Sequence, residues 1–96
     1  MFPLQRAFLT IGDRQLHYRA GGDGAPVVML HPSPLSSAAV MPIGRALARH
    51  FRVYAFDTPG YGQSEPPAAR PASLDDYLPA FAAALDALGL DRVCLY

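Results

Sequence analysis

Ninety-six residues, 51% of them hydrophobic, allow one small domain and carry more apolar surface than a domain of that size normally buries. Eight basic and eight acidic residues cancel, with no basic run, which excludes the electrostatic footprint of a nucleic-acid binder. A single cysteine, Cys94, excludes an internal disulfide framework, and with no signal pattern and no membrane-length apolar run a soluble, cytoplasmic protein without a membrane partner is expected.

The first elements in chain order are two strands, residues 7–11 and 15–20, around Gly12 and Asp13. The second alternates Leu16, Tyr18 and Ala20 with Gln15, His17 and Arg19, the pattern of a hairpin strand with one wet face. His17 falls on the polar side and is expected to be exposed. Gly21, Gly22, Asp23 and Gly24 form a turn, since neither the dinucleotide spacing nor a following Lys-Ser/Thr is present. Val27, Val28, Met29 and Leu30, bounded by Pro26 and Pro32, read as a short strand buried on both faces, which requires helices on both sides of the sheet.

That strand ends in His31, Pro32, Ser33 and Pro34. Proline has no backbone N–H, so Ser33 supplies the lone main-chain donor of the last three. A fixed amide between a strand end and a helix start is suited to holding developing negative charge. A rigid connection with no chemistry fits these residues equally well.

Residues 36–49 carry Val40, Ile43 and Leu47 at helical spacing behind capping serines, and Pro42 either kinks this helix or marks its true first turn. His50 reads as a cation at its C-terminal end. The next strand, residues 51–56, ends at Asp57, and a right-handed crossover lays it parallel to the strand before it. The loop over residues 58–72 holds four prolines and two glycines and is too long for a mere connector. Ser73 opens a second helix with Asp76 as its capping-box acid, and Leu74, Tyr77, Leu78, Phe81, Leu85 and Leu88 form one apolar stripe up to Gly89. Pro79 predicts a bend or a late start there. Residues 92–96 read as a further buried strand, with Cys94 as a small hydrophobe within it.

The order of a hairpin, a strand ending His31-Pro32-Ser33-Pro34, a helix, a strand ending Asp57-Thr58-Pro59-Gly60-Tyr61-Gly62-Gln63-Ser64, a helix and a strand resembles the N-terminal part of the α/β-hydrolase fold family. In that family His-Gly-x-Pro follows the third strand and Asp-x-Pro-Gly-x-Gly-x-Ser the fourth. The resemblance implies an α/β sheet of an antiparallel hairpin followed by parallel strands with helices on both faces, spanning residues 1–96 as a partial domain. Ser33 matches the residue whose backbone N–H is one of two oxyanion-hole donors, the role reached above from the prolines. Pro32 stands where the family has glycine. His31 resembles the family histidine that steadies this loop, and Pro34, Asp57, Gly60, Gly62 and Ser64 resemble loop-building residues beside the site. A triad of His31, Asp57 and Ser64 is set aside, because a nucleophilic serine needs a strained turn and Ser64 lies in a proline-flanked loop.

In the family a Gly-x-Ser-x-Gly elbow follows the fifth strand, and the acid and histidine come later. The resemblance therefore implies the first third of a hydrolase, ending at the strand before the elbow, holding half an oxyanion hole and inactive by itself. Its expected activity is hydrolysis of a small ester, amide or related substrate through an acyl intermediate, with no cofactor or metal. A close variant uses an aspartate nucleophile, as dehalogenases and epoxide hydrolases of the fold do. A non-catalytic product or binding module, pairing through an exposed sheet edge, is the alternative from a different class.

Overall fold

The computed structural model describes residues 3–32, 35–67, 71 and 73–96. The hairpin forms from strands β1 (Gln5–Ile11) and β2 (Arg14–Gly21), paired antiparallel from Gln5 opposite Ala20 to Ile11 opposite Arg14. Gly12 and Asp13 make the two-residue turn, as their position between the alternating runs requires. Strand β3 (Pro26–Leu30) pairs parallel with β4 (Arg52–Phe56) and with β5 (Cys94–Leu95). The sheet order is β1-β2-β4-β3-β5, so the hairpin joins the parallel part through the antiparallel β2–β4 contact.

Helices flank the central strands on both faces, as the unbroken apolar run of β3 requires. On one face Val27, Met29, Val53 and Ala55 pack with Leu4, Val40, Met41 and Ala48. On the other, Val28 and Phe56 pack with Leu16 and Ala84, and Phe81, Leu85 and Leu88 close over them. Alternate residues of one strand thus feed two separate cores.

The first helical segment differs from a single helix over residues 36–49. A 3-10 turn, Ser37–Val40, runs into α1 (Met41–Leu47), with Pro42 in its first turn and no kink. Its buried side is Val40, Met41, Gly44 and Ala48, while Ile43 faces solvent. Arg45 is the basic residue of its last turn, and His50 lies beyond the helix, its N–H returning to the Leu47 carbonyl. The second segment is a 3-10 turn, Leu74–Tyr77, followed by α2 (Leu78–Ala87). Its start is capped by the Asp76 carboxylate accepting from the Ser73 N–H at 3.1 Å. Leu78 departs from the expected stripe and is exposed at the mouth of a pocket, and the side chain of Leu74 lies outside the described residues.

Pro79 occupies the first turn of α2, where its missing N–H costs no helical hydrogen bond. Pro79→Ala is therefore expected to change stability by less than about 1 kcal/mol, rather than the gain of roughly 3 kcal/mol an interior proline would release, as read from urea unfolding midpoints.

The last strand is a correction. β5 is two residues long and exposed on both, Leu95 is 64% accessible, and Cys94 is an exposed free thiol. An apolar run signals burial only where something covers it, and β5 sits at the sheet edge with β3 on one side alone. No described helix is long and apolar enough to cross a membrane.

Candidate active site

The parallel strands β3 and β4 end side by side, and the segments that follow them meet there. His31 links the two: its Nε2 accepts from the Thr58 N–H at 3.0 Å, and its Nδ1 lies 3.0 Å from the Pro32 carbonyl oxygen. An amide N–H can only donate, so the ring proton sits on Nδ1 and donates to Pro32. Both ring nitrogens are occupied. Ser33 and Pro34 lie outside the described residues.

Asp57 is the second link. It is 1% exposed, and burying a carboxylate is costly unless donors surround it. Oδ1 accepts from the Ser37 N–H at 2.6 Å, and Oδ2 accepts from the Gln63 N–H and from His17 Nδ1–H, both at 2.8 Å. Burial pushes the carboxyl pKa up, but the bonds from Gln63, from the Ser37 hydroxyl and N–H, and from His17 outweigh it and hold it below the ordinary aspartate value. The charge is kept by hydrogen bonds.

His17 is not the exposed residue the alternation of β2 predicts; it is completely buried. His17 and Arg19 of the polar face of β2 lie over Asp57 and Ser37, while Gln15 of the same face stays exposed, and Phe8 packs on the imidazole at 5.0 Å between ring centroids. Arg6 Nε–H donates to His17 Nε2 at 3.2 Å, and Arg19 Nε–H donates to the Ser37 hydroxyl oxygen at 3.0 Å. His17, which sequence reasoning placed in solvent, thus joins the site together with Ser37, Arg6 and Arg19, which it did not single out. The signal available was Asp57 itself: a carboxylate ending an apolar strand needs donors from somewhere.

The loop after β4 is closed on itself and stitched to β2. Ser64 is buried, its hydroxyl donating to the Asp57 carbonyl and accepting from the His17 N–H, each at 2.8 Å. Glu65 N–H donates to the Gln15 carbonyl at 2.9 Å, and Gln15 N–H donates to the Glu65 carboxylate at 2.8 Å. The proline-flanked loop around Ser64 is therefore a fixed one. Gly60 and Gly62 turn it with φ of +88° and +53°. A Cβ on Gly62 would overlap the Asp57 carboxylate, so only glycine closes the turn that brings the Gln63 N–H onto Oδ2.

Chemically, this arrangement is a scaffold. Asp57 bonds to His17, the Ser64 hydroxyl bonds to a backbone carbonyl, and His31 is committed to Thr58 and Pro32. His31, Asp57 and Ser64 thus lack the nucleophile-to-base bond a triad requires. Ser64→Ala is accordingly expected to cost about 1–3 kcal/mol of stability by orphaning the buried His17 N–H, measurable by chemical denaturation. A largely apolar pocket of about 290 Å³ opens beside His31, lined by Leu30, Thr58, Tyr61, Tyr77, Leu78 and Phe81.

A family model described as alpha/beta hydrolase fold matches residues 25–96. Haloalkane dehalogenase 2 of Mycobacterium tuberculosis is 30% identical over 92 residues, covering 96% of this chain and 32% of that protein. The 2-hydroxy-6-oxononadienedioate/2-hydroxy-6-oxononatrienedioate hydrolase 2 of Pseudomonas putida is 40% identical over 86 residues, covering 84% and 30%. Among solved structures, the haloalkane dehalogenase DatA of Agrobacterium tumefaciens superposes with a TM-score of 0.87 at 35% identity, over 97% of this chain and 32% of that one. The epoxide hydrolase CorEH superposes with a TM-score of 0.88 at 29% identity, over 96% and 32%. The chain spans about a third of the length of the relatives it matches.

Proposed function

Because the chain belongs to the α/β-hydrolase fold family, we propose that it builds the oxyanion side of a hydrolase site for a small ester, amide or related substrate. The observation that supports this most is the locking of the two strand-end segments to one another, through Thr58 N–H to His31 and Ser37 N–H to Asp57. Open α/β sheets bind ligands outside the carboxyl ends of their strands, where these segments stand. In sequence, between His31 and Ser37, the chain reads Pro32-Ser33-Pro34, and by the family pattern the Ser33 amide is the donor assigned to the oxyanion. When a nucleophile adds to a carbonyl, the oxygen gains a full charge, and one such donor is worth about a hundred- to a thousandfold in rate.

By the family pattern the nucleophile is placed on a strand-to-helix turn following β5, with its acid and histidine farther along; Asp57 and Ser64 are committed to structural bonds. The relatives named haloalkane dehalogenase and epoxide hydrolase favour a second reading with an aspartate nucleophile. There the carboxylate displaces halide or opens an epoxide to form an alkyl ester on the enzyme. Water then hydrolyses that ester, and the Ser33 amide serves the tetrahedral intermediate of this second step.

Single-turnover reactions in oxygen-18 water test both readings on the intact polypeptide expressed from its native gene. The substrates are a p-nitrophenyl ester, a primary bromoalkane and styrene oxide. Label found only in the product acid identifies a serine route, and label retained in an enzyme carboxylate identifies the aspartate route. Absence of turnover and of covalent intermediate with all three would overturn the hydrolase proposal in favour of a non-catalytic module.

A further inference from the structure

We infer that His17, on the hairpin, is a positioning residue for the two strand-end segments, with Arg6 fixing its proton on the nitrogen that aims Asp57. Among the described residues, Asp57 is the only side chain that holds Ser37 of one segment and Gln63 of the other by hydrogen bonds from both main-chain amides. Those two donors come from different loops, and a carboxylate rotates easily about its own axis because that torsion is broad. Two donors carried by separate segments give the carboxylate two points of contact and leave its plane to be set by a third.

The third donor removes this freedom. His17 Nδ1–H reaches Oδ2 at 2.8 Å from β2, a strand paired on both sides. The proton is on Nδ1 because Arg6 Nε–H, which can only donate, occupies Nε2 at 3.2 Å. Phe8 packs on the ring at 5.0 Å and the imidazole has no exposed surface, so no solvent competes for either nitrogen. Arg19 reinforces the same end by donating to the Ser37 hydroxyl at 3.0 Å. The hairpin, which brings no residue to the pocket beside His31, thereby sets where Ser37 begins the turn that follows the 31–34 segment. Its bearing on hydrolysis rests on the reading proposed above.

Amide exchange measured by NMR on the full chain tests this without requiring turnover. In His17→Phe, exchange at Ser37 and Gln63 is expected to rise about tenfold more than at Val53 and Ala55 in the central strand. His17→Asn, whose amide nitrogen stands near the place of Nδ1, is expected to restore both loop amides. Loop amides that merely track the central strand in the Phe variant, or that the Asn variant fails to restore, would overturn the inference. Should His17→Phe not fold, Arg6→Met decides, since Arg6 is exposed and its loss leaves the core intact. Long-range imidazole spectra should show a single Nδ1–H tautomer in the parent and a mixture in this variant, and an Nε2–H tautomer in the parent would overturn the role of Arg6. In the intact polypeptide the expected signature is a lower kcat at unchanged KM for His17→Phe, rescued in His17→Asn. Absent turnover with a supported exchange result would sink the hydrolase reading and leave the positioning role standing.

Discussion

Replacing Asp57 with asparagine is expected to cost the domain about 3–5 kcal/mol, the loss typical of breaking a buried charged network at one member. Asparagine keeps the shape but exchanges one acceptor oxygen for an N–H donor. If its oxygen stays on the Ser37 N–H, its amide nitrogen faces the Gln63 N–H and His17 Nδ1–H, three donors with no acceptor among them. His17 has no easy escape by moving its proton, because Arg6 already donates to Nε2. Against a total stability of about 5–15 kcal/mol for ordinary domains, the substitution removes a large share, and urea unfolding of the two chains measures it. The same residue fixes the acid limb. Its folded pKa is depressed, so its contribution is fully present above the ordinary aspartate value and is lost as pH falls through the lower folded value. Stability measured from about pH 6 down to 2 should decline with protonation of Asp57 in the parent, and that component should vanish in Asp57→Asn.

Gly62→Ala is the second large effect, with an expected loss of about 3 kcal/mol. Holding a non-glycine residue at φ of +53° costs roughly 1–3 kcal/mol, and the added methyl would overlap the Asp57 carboxylate and push it off its donors. Gly60→Ala separates the two causes. Its φ of +88° carries the same kind of strain, yet the nearest atom to a Cβ there is 3.7 Å away. A loss of about 1–2 kcal/mol at Gly60, clearly smaller than at Gly62, is expected in paired denaturation curves. Equal losses would mean that strain alone is at work and that the fit against Asp57 contributes nothing.

Much of the frame was legible because it rests on local rules. Two prolines around an unbroken apolar run placed β3 and required helices on both faces, the alternation around Gly12-Asp13 gave the hairpin, and Pro79 marked a late helix start. What escaped depends on contacts far along the chain. His17 and Asp57 are 40 residues apart, and alternation states only which side chains share a face, never whether water or another loop covers it. A polar stripe reads identically in both cases. The apolar run at Cys94 misleads for the mirror reason, since an apolar run means burial only where neighbours cover it, and β5 has one. The prolines flanking the Ser64 loop say nothing of the bonds that hold it, which come from Asp57, Tyr61 and the His17 N–H of β2.

The position of β2 between β1 and β4 has a consequence for the nascent chain. Translation delivers the hairpin before β4, and its inner edge from Tyr18 to Gly21 stays without its partner until residues 53–56 have been made. During that interval an open strand edge is a template for pairing between molecules. The waiting strand carries Arg14, Gln15, His17 and Arg19, with Arg6 alongside, residues that discourage such pairing through charge and hydration. Of these side chains His17 later bonds Asp57 and Arg19 bonds Ser37, so residues that complete the site also give the newly made hairpin a polar stripe that disfavours mispairing before β4 arrives.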